Sequence, residues 1–600
     1  MGEIGSENWN LDSLYEGVSE STRLKDCIHN LKQDIRKLKE ELARYKNLSE
    51  QSILVSIIKK VQASMKQAFE IDDFLICASS ADVKNKDVSK LLEESAHLKA
   101  NLDSINVEIN QLLGSLTDLE WNHLLQFPEI KLNQFYLEER RQKARDQLPV
   151  ELEKVISQLS VNGFKGWENH YDQFISELEI PVRKDGNQKM LSIAQAFNEA
   201  MFSSDREERQ QIAQSLHHIC NQNAETFASI LNRIAGFRLD VYRLRGWDHL
   251  LKESLEQNRI QEQTLQMMLT TIKENQGILK SFLKRKAKVL RVDSIGWYDI
   301  LSPSFTSNQK LTYQEAMNTV IQQFHRFSEK LGNFAERAFQ NGWVEAENRG
   351  DKAPGAFCAS MPVAKESRVF LTFAGHKQDV VTMAHELGHG YHNAILHEEP
   401  FFSQQKGTSV AETASTFAEN LVLDAAINQA DNDEEKLALL EMKIMSSLIY
   451  LGLIPIMFDF EWNLYQKRKD GLLSGEEISD LMKKAAANSF YDGIVEEMDS
   501  FQWITTGHFY DMEKAFYNIP YTVGFMFSNG VYARAKEEGS SFQKQYDELL
   551  QNSGRMSVEQ LAETYLGVDI QTKAFWETSL QPTVDAIQKY KELSEKLIKK

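Results

Sequence analysis

Cysteine and proline are both scarce in this 600-residue chain, which holds four cysteines, 10 prolines and 29 glycines. Cys27, Cys77, Cys220 and Cys358 stand far apart and form no CxxC pair, which excludes a disulfide framework and points to reduced thiols. So few turn formers are too few for a protein of many strands and tight turns. Basic residues are short as well. With 68 Lys and Arg against 87 Asp and Glu, the formal charge is −19, the wrong sign for a phosphate backbone, so no nucleic-acid partner is expected. The longest apolar run, residues 448–458, is interrupted by Pro455 and reads as a buried helix, so no membrane partner is expected. Residues 1–14 are polar and acidic, with no basic patch leading into an apolar core, so no secretory leader is read and a cytoplasmic location is expected.

What fills the chain is helix. Runs rich in Leu, Glu, Lys, Gln and Ala separate the few breakers, and the length calls for two or more subdomains. Leu24, Ile28, Leu31, Ile35, Leu38, Leu42 and Tyr45 alternate spacings of four and three, a heptad seam about three heptads long. It serves either a homodimeric coiled coil or a helical hairpin closing on residues 52–69. The hairpin is favoured because the seam is short and another helical segment follows at once. Residues 179–186 read as a linker or hairpin, dividing an N-terminal helical region, 1–185, from a catalytic region, 186–600. The one convincing strand is residues 368–373, where Val369, Leu371 and Phe373 alternate. The fold class is therefore mainly α, with one small sheet just upstream of the chemistry.

The chemistry lies in His385-Glu386-Leu387-Gly388-His389, an H-E-x-x-H motif inside the helical spacing of residues 379–396. Residues four apart share a helix face, so both imidazoles reach one metal, and Glu386 beside them can hold a water without being a ligand. Catalytic zinc takes three protein ligands and leaves a fourth position open. Downstream, residues 407–409 can cap a helix starting near Val410 that carries Glu412 and Glu419. These lie seven apart on one face, so one can bind metal while the other orients a ligand histidine. His392 and His397 are wrongly spaced for a metzincin extension. His217-His218 with Cys220 could suggest a second metal site, but they read as a helical surface pair.

The stretch Ala384-His385-Glu386-Leu387-Gly388-His389-Gly390-Tyr391-His392, followed by Ala411-Glu412-Thr413-Ala414-Ser415-Thr416-Phe417-Ala418-Glu419-Asn420, closely resembles oligoendopeptidase F, a family related to thimet oligopeptidase and neurolysin. Gly355-Ala356-Phe357-Cys358 resembles that family's substrate-cleft segment, and Trp503 to Phe525 its C-terminal catalytic segment. The resemblance runs from about residue 190 to 590, more loosely over 148–171, and does not cover 1–147. It implies a helical two-lobed peptidase with a deep central channel, and a small sheet next to the zinc helix whose strand, residues 368–373, pairs with substrate. It implies one zinc ion held by His385, His389 and Glu412, with Glu386 as general base. His508 and Tyr521, with Tyr517 as a second candidate, would stabilise the tetrahedral intermediate; Tyr510 and Tyr532 are rivals. The expected partners are short unstructured oligopeptides. Two alternatives stand beside this: a dipeptidyl carboxypeptidase of the same fold, and an inactive helical scaffold that uses the heptad seam.

Overall fold

The computed structural model describes residues 5–45, 50–184, 187–306 and 310–598. It is mainly α, with 72% helix and a few small sheets. Six apolar seam residues, Leu24 through Leu42, are all buried on α1 (Thr22–Arg44), which opens on Ser21 accepting the Leu24 N–H. They pack on α2 (Gln51–Ala81) and α3 (Lys86–Ser115), two helices longer than the hairpin partner expected from sequence. Full burial of each such side chain contributes roughly 1.5–3 kcal/mol. The seam is thus filled within the chain, and a dimeric coiled coil loses the surface it needed.

The chain forms two compact units, each assembled from separate segments. Unit 1 holds residues 1–147, 309–425 and 531–568, and unit 2 holds 148–308, 426–530 and 569–600. The division expected at 185/186 falls on residues outside the described ones.

In unit 2, β1 (Glu179–Lys184) pairs antiparallel with β2 (Asn187–Ser192). Most of β2 is exposed on both faces, so it carries no apolar alternation to be read. A short parallel pair joins β3 (Ile295–Gly296) to β7 (Val495–Glu497). The apolar run lies where helix Asp433–Leu448 passes through one π turn into helix Ile454–Arg468. Pro455 does not break it, because it stands in the first turn, where its missing N–H is not needed. By length and composition residues 433–468 are long and apolar enough to cross a membrane, a test that a buried core helix also passes; 56% of the most apolar window is buried within the protein.

Unit 1 carries a three-stranded sheet in the order β4 (Val344–Glu345), β6 (Glu366–Phe370), β5 (Phe357–Met361). The strand expected at 368–373 is therefore internal. Its Val369, Leu371 and Phe373 N–H groups donate to Trp343, Glu345 and Ala346 at 2.8–2.9 Å, and β5 covers its other side. It cannot take a peptide, whereas β5 is an outer strand. The sequence of β5, Phe-Cys-Ala-Ser-Met, has small residues and weak strand preference, which hid it. Against this sheet packs the motif helix, Lys377–Leu396, held at its start by Asp379 accepting the Ala374 and His376 N–H groups at 2.8 and 2.9 Å. Farther along, Tyr391 donates to Asp547 at 2.5 Å and His392 Nε2 meets Ser553 Oγ at 2.8 Å.

Candidate metal centre and active site

His385 and His389 are one turn apart on the motif helix, and their Nε2 atoms lie 3.2 Å from each other. The third group arrives on a broken helix. Helix Thr408–Ala411 starts earlier than expected from sequence, leaves helical geometry at Glu412, and is followed by helix Thr413–Gln429. The break carries Glu412 Oε2 to 3.4 Å from His385 Nε2 and 3.3 Å from His389 Nε2. Close approach of the two segments depends on Gly388, where a Cβ would stand 2.6 Å from the Ala414 carbonyl oxygen and 2.7 Å from Ser415 Cα. Ser415 Oγ in turn donates to Glu412 Oε2 at 2.8 Å.

This donor set fits zinc. Tetrahedral bonds of roughly 2.0–2.1 Å separate neighbouring donor atoms by roughly 3.3–3.4 Å, and the three observed separations span 3.2–3.4 Å. Among the described residues, this is the one group of three or more His, Cys, Asp or Glu side chains gathered this way. Glu419 accepts a hydrogen bond from His385 Nδ1, which fixes the tautomer that leaves Nε2 free for a metal.

The electrostatics call for a cation. Burial opposes charging His385, but hydrogen bonds to Glu412 and Glu419 outweigh it and lift the imidazole to about 10. Burial likewise works against ionised Glu412, yet the two imidazoles hold its carboxyl far below the usual range. His389 is pushed down, first by burial, and keeps its lone pair. Burial raises Glu386 to about 7, with His385 opposing and Glu412 and Glu419 adding to the rise.

His508, Tyr517 and Tyr521 group together in unit 2. The His508 ring stacks on Tyr517 with centroids 4.1 Å apart, and Tyr517 lies 6.3 Å from Tyr521. His508 Nδ1 meets Asn518 Oδ1 at 2.6 Å, so Nδ1 carries the proton and Nε2 donates only from the charged ring. Phe516 holds this loop in the left-handed region (φ 55°), its N–H donating to buried Glu461 at 2.9 Å. The rival tyrosines are engaged elsewhere. Tyr510 is buried in a stack on Tyr171, and Tyr532 donates to Asp424 at 2.9 Å.

Comparison with known proteins adds descent to geometry. The family model described as Peptidase family M3 matches residues 200–580, well over half of the chain. The chain belongs to Peptidase family M3. A second family model, described as Oligopeptidase F, matches residues 113–179 of this M3 chain, beginning upstream of residue 148, where the motif resemblance starts. Oligopeptidase PepF of Bacillus subtilis is 23% identical over 495 residues, which are 78% of this chain and 71% of that protein. The oligoendopeptidase F homolog of Borreliella burgdorferi is 19% identical over 96% of both chains. Group B oligopeptidase PepB of Streptococcus agalactiae is matched over only 59% of its length, at 23% identity. In fold, the M3 chain is similar to a solved chain from Chlamydophila abortus (TM-score 0.84, 21% identity, 98% of each chain) and to oligoendopeptidase-F from Enterococcus faecium (TM-score 0.71, 16% identity, 96% and 99% covered). Residues 1–112, outside both family models, are therefore part of the shared fold.

Other histidines of the M3 chain have ordinary partners. His397 meets Ser360 Oγ at 2.9 Å, His376 meets Lys310 Nζ at 3.0 Å, and His217 packs edge-on against Phe501. Burial pushes the Cys358 thiol up, far from a reactive thiolate. Sequence reasoning missed Asn518, Asp73 and Lys406, each a single common residue with no motif to mark it.

Proposed function

We propose that this M3 chain is a zinc-dependent endopeptidase acting on short, unstructured oligopeptides. Family membership makes it a peptidase; the metal, the base and the substrate size are our reading. The observation that carries it is the trio of His385 Nε2, His389 Nε2 and Glu412 Oε2, spaced for a tetrahedral ion. Bound there, zinc would supply Lewis acidity and lower the pKa of water to roughly 7.

Glu386 takes the proton of the attacking water and hands it to the leaving amine. A carboxyl raised toward 7 by burial suits both transfers at neutral pH. Glu419 keeps His385 oriented. We assign His508 and Tyr521, with Tyr517 second, to the charge that develops on the carbonyl oxygen. Removing one such donor costs about 2.7–4 kcal/mol of transition-state stabilisation. An extended peptide would add to the outer edge of β5, with main-chain groups giving affinity and no side chain required. The names of these relatives, oligopeptidase and oligoendopeptidase, support the substrate class.

Metal analysis of protein purified without added zinc tests the reading. About one zinc per chain is expected, with peptide hydrolysis abolished by phenanthroline and restored by zinc. Full activity in metal-free protein overturns it.

A further inference from the structure

Beside the outer edge of β5, unit 1 holds a cavity of about 310 Å³, lined among others by Cys358, Ser360, Asn393, His397 and Lys406. Its lining carries groups of both signs, Asp73 and Lys406. The Asp73 carboxylate is spoken for, since its Oδ2 accepts the Ser360 N–H at 2.8 Å. That bond also ends the β5 edge. The Ser360 N–H points away from β6, so by strand alternation Cys358 presents its backbone outward too. A peptide added along β5 can use Cys358, finds Ser360 already capped, and must leave the strand at the cavity.

Lys406 waits there. It is half-buried, and its ammonium makes no hydrogen bond or ion pair among the described residues. The neighbouring His397 does not compete as a cation, because burial, with Lys66 and Lys406 adding to the effect, lowers it to about 4. Lys406 lines the cavity with Cys358 and feels the charge of Glu412 as well. Burial pushes its pKa down, and an incoming anion offsets that cost. We propose that Lys406 and this cavity bind a carboxylate of the peptide substrate, supplied by an acidic side chain near the scissile bond or by the free C-terminus. The proposal rests on the peptidase reading above. Lys406 is the one lysine or arginine among the lining residues; Asp73 repels an anion, and Ser360, Asn393, Gln404 and Gln405 offer only neutral donors.

A series of internally quenched peptides tests it, with Glu or Gln at each position flanking the cleaved bond and with the C-terminus free or amidated. Wild-type protein is expected to favour one carboxylate-bearing peptide over its neutral twin by at least about tenfold in kcat/KM. A Glu/Gln difference identifies the side chain as the source, and an acid/amide difference identifies the terminus. Lys406→Met should bring that ratio close to one, and Lys406→Glu should invert it in favour of a Lys-bearing peptide. A lysine that merely balances the acidic metal site would lower every substrate alike and leave the ratio intact, which overturns the proposal. Absence of any carboxylate preference in wild type overturns it as well, with the peptidase reading untouched. Failure of the zinc-loaded protein to cut any peptide of the series, acidic or neutral, removes the peptidase reading and this proposal together.

Discussion

Gly388 and Ala414 approach so closely that a single methyl group at Gly388 would lie 2.6 Å from the Ala414 carbonyl oxygen. The obstructing atoms are backbone, so a side chain cannot swing aside. The contact sits two residues from Glu412, one from His389 and three from His385, and it sets how near Glu412 comes to the two imidazoles. Gly388→Ala should keep the fold of unit 1 but weaken zinc binding by roughly 10- to 100-fold, the range for disturbed ligand support. Competition with a fluorescent zinc chelator reads this directly, and unchanged affinity would show that the two segments can part without loss.

Glu386→Gln separates metal binding from proton transfer. The amide keeps the shape and cannot carry a proton, so zinc content should stay at the wild-type level while kcat falls at least about 10²-fold. A variant that retains most of its turnover would mean that another group is the base.

His508→Ala and Tyr521→Phe should lower kcat by about 10²–10³-fold with little change in KM, as for donors used only in the transition state. Asn518→Ala should mimic part of the His508 loss, since it frees the Nδ1 proton that orients the ring. A rise in KM with normal kcat would instead make these residues substrate binders.

Glu461 gives a pH signature independent of catalysis. Burial raises its carboxyl from 4.5 to about 7, with Arg238 pulling the other way and Asp511 adding to the rise. The native state thus keeps a proton that the unfolded chain releases between about pH 4.5 and 7. The group's favourable contribution is present below pH 4.5 and lost as pH climbs through 7. Glu461→Gln preserves an acceptor for the Phe516 N–H and removes the titration. Melting should be alike at pH 4, while at pH 8 the variant should be more stable by on the order of 2–3 kcal/mol. An equal gap at both pH values would rule out a buried ionised Glu461.

Local pattern carried part of this structure and distance hid the rest. The seam from Leu24 to Leu42 was legible because heptad spacing is a property of one helix, although the length of α2 and the role of α3 were not. His385, Glu386 and His389 share one turn, and Glu412 and Glu419 share a spacing of seven, so their meeting could be anticipated. The break at Glu412 could not, because nothing in Val410-Ala411-Glu412-Thr413 forbids a continuous helix; packing of Gly388 on Ala414 accompanies it. The β5 edge was misplaced by one strand, since Val369 and Leu371 alternate more clearly than Cys358 and Ser360. Asp73 and Ser360 are 287 residues apart, and no spacing argument spans that distance.

The motif helix has its far end secured by Asp547 and Ser553, residues from the last segment of unit 1. During synthesis at about 5–20 residues per second, Glu412 leaves the ribosome roughly 8–30 s before residue 568 completes that unit. For that interval the nascent chain displays two imidazoles and a carboxylate with no finished scaffold behind them. On the zinc reading, metal capture is then tied to the closing moments of translation, and a ribosome stalled anywhere between Glu412 and residue 531 yields a chain with every ligand and no centre.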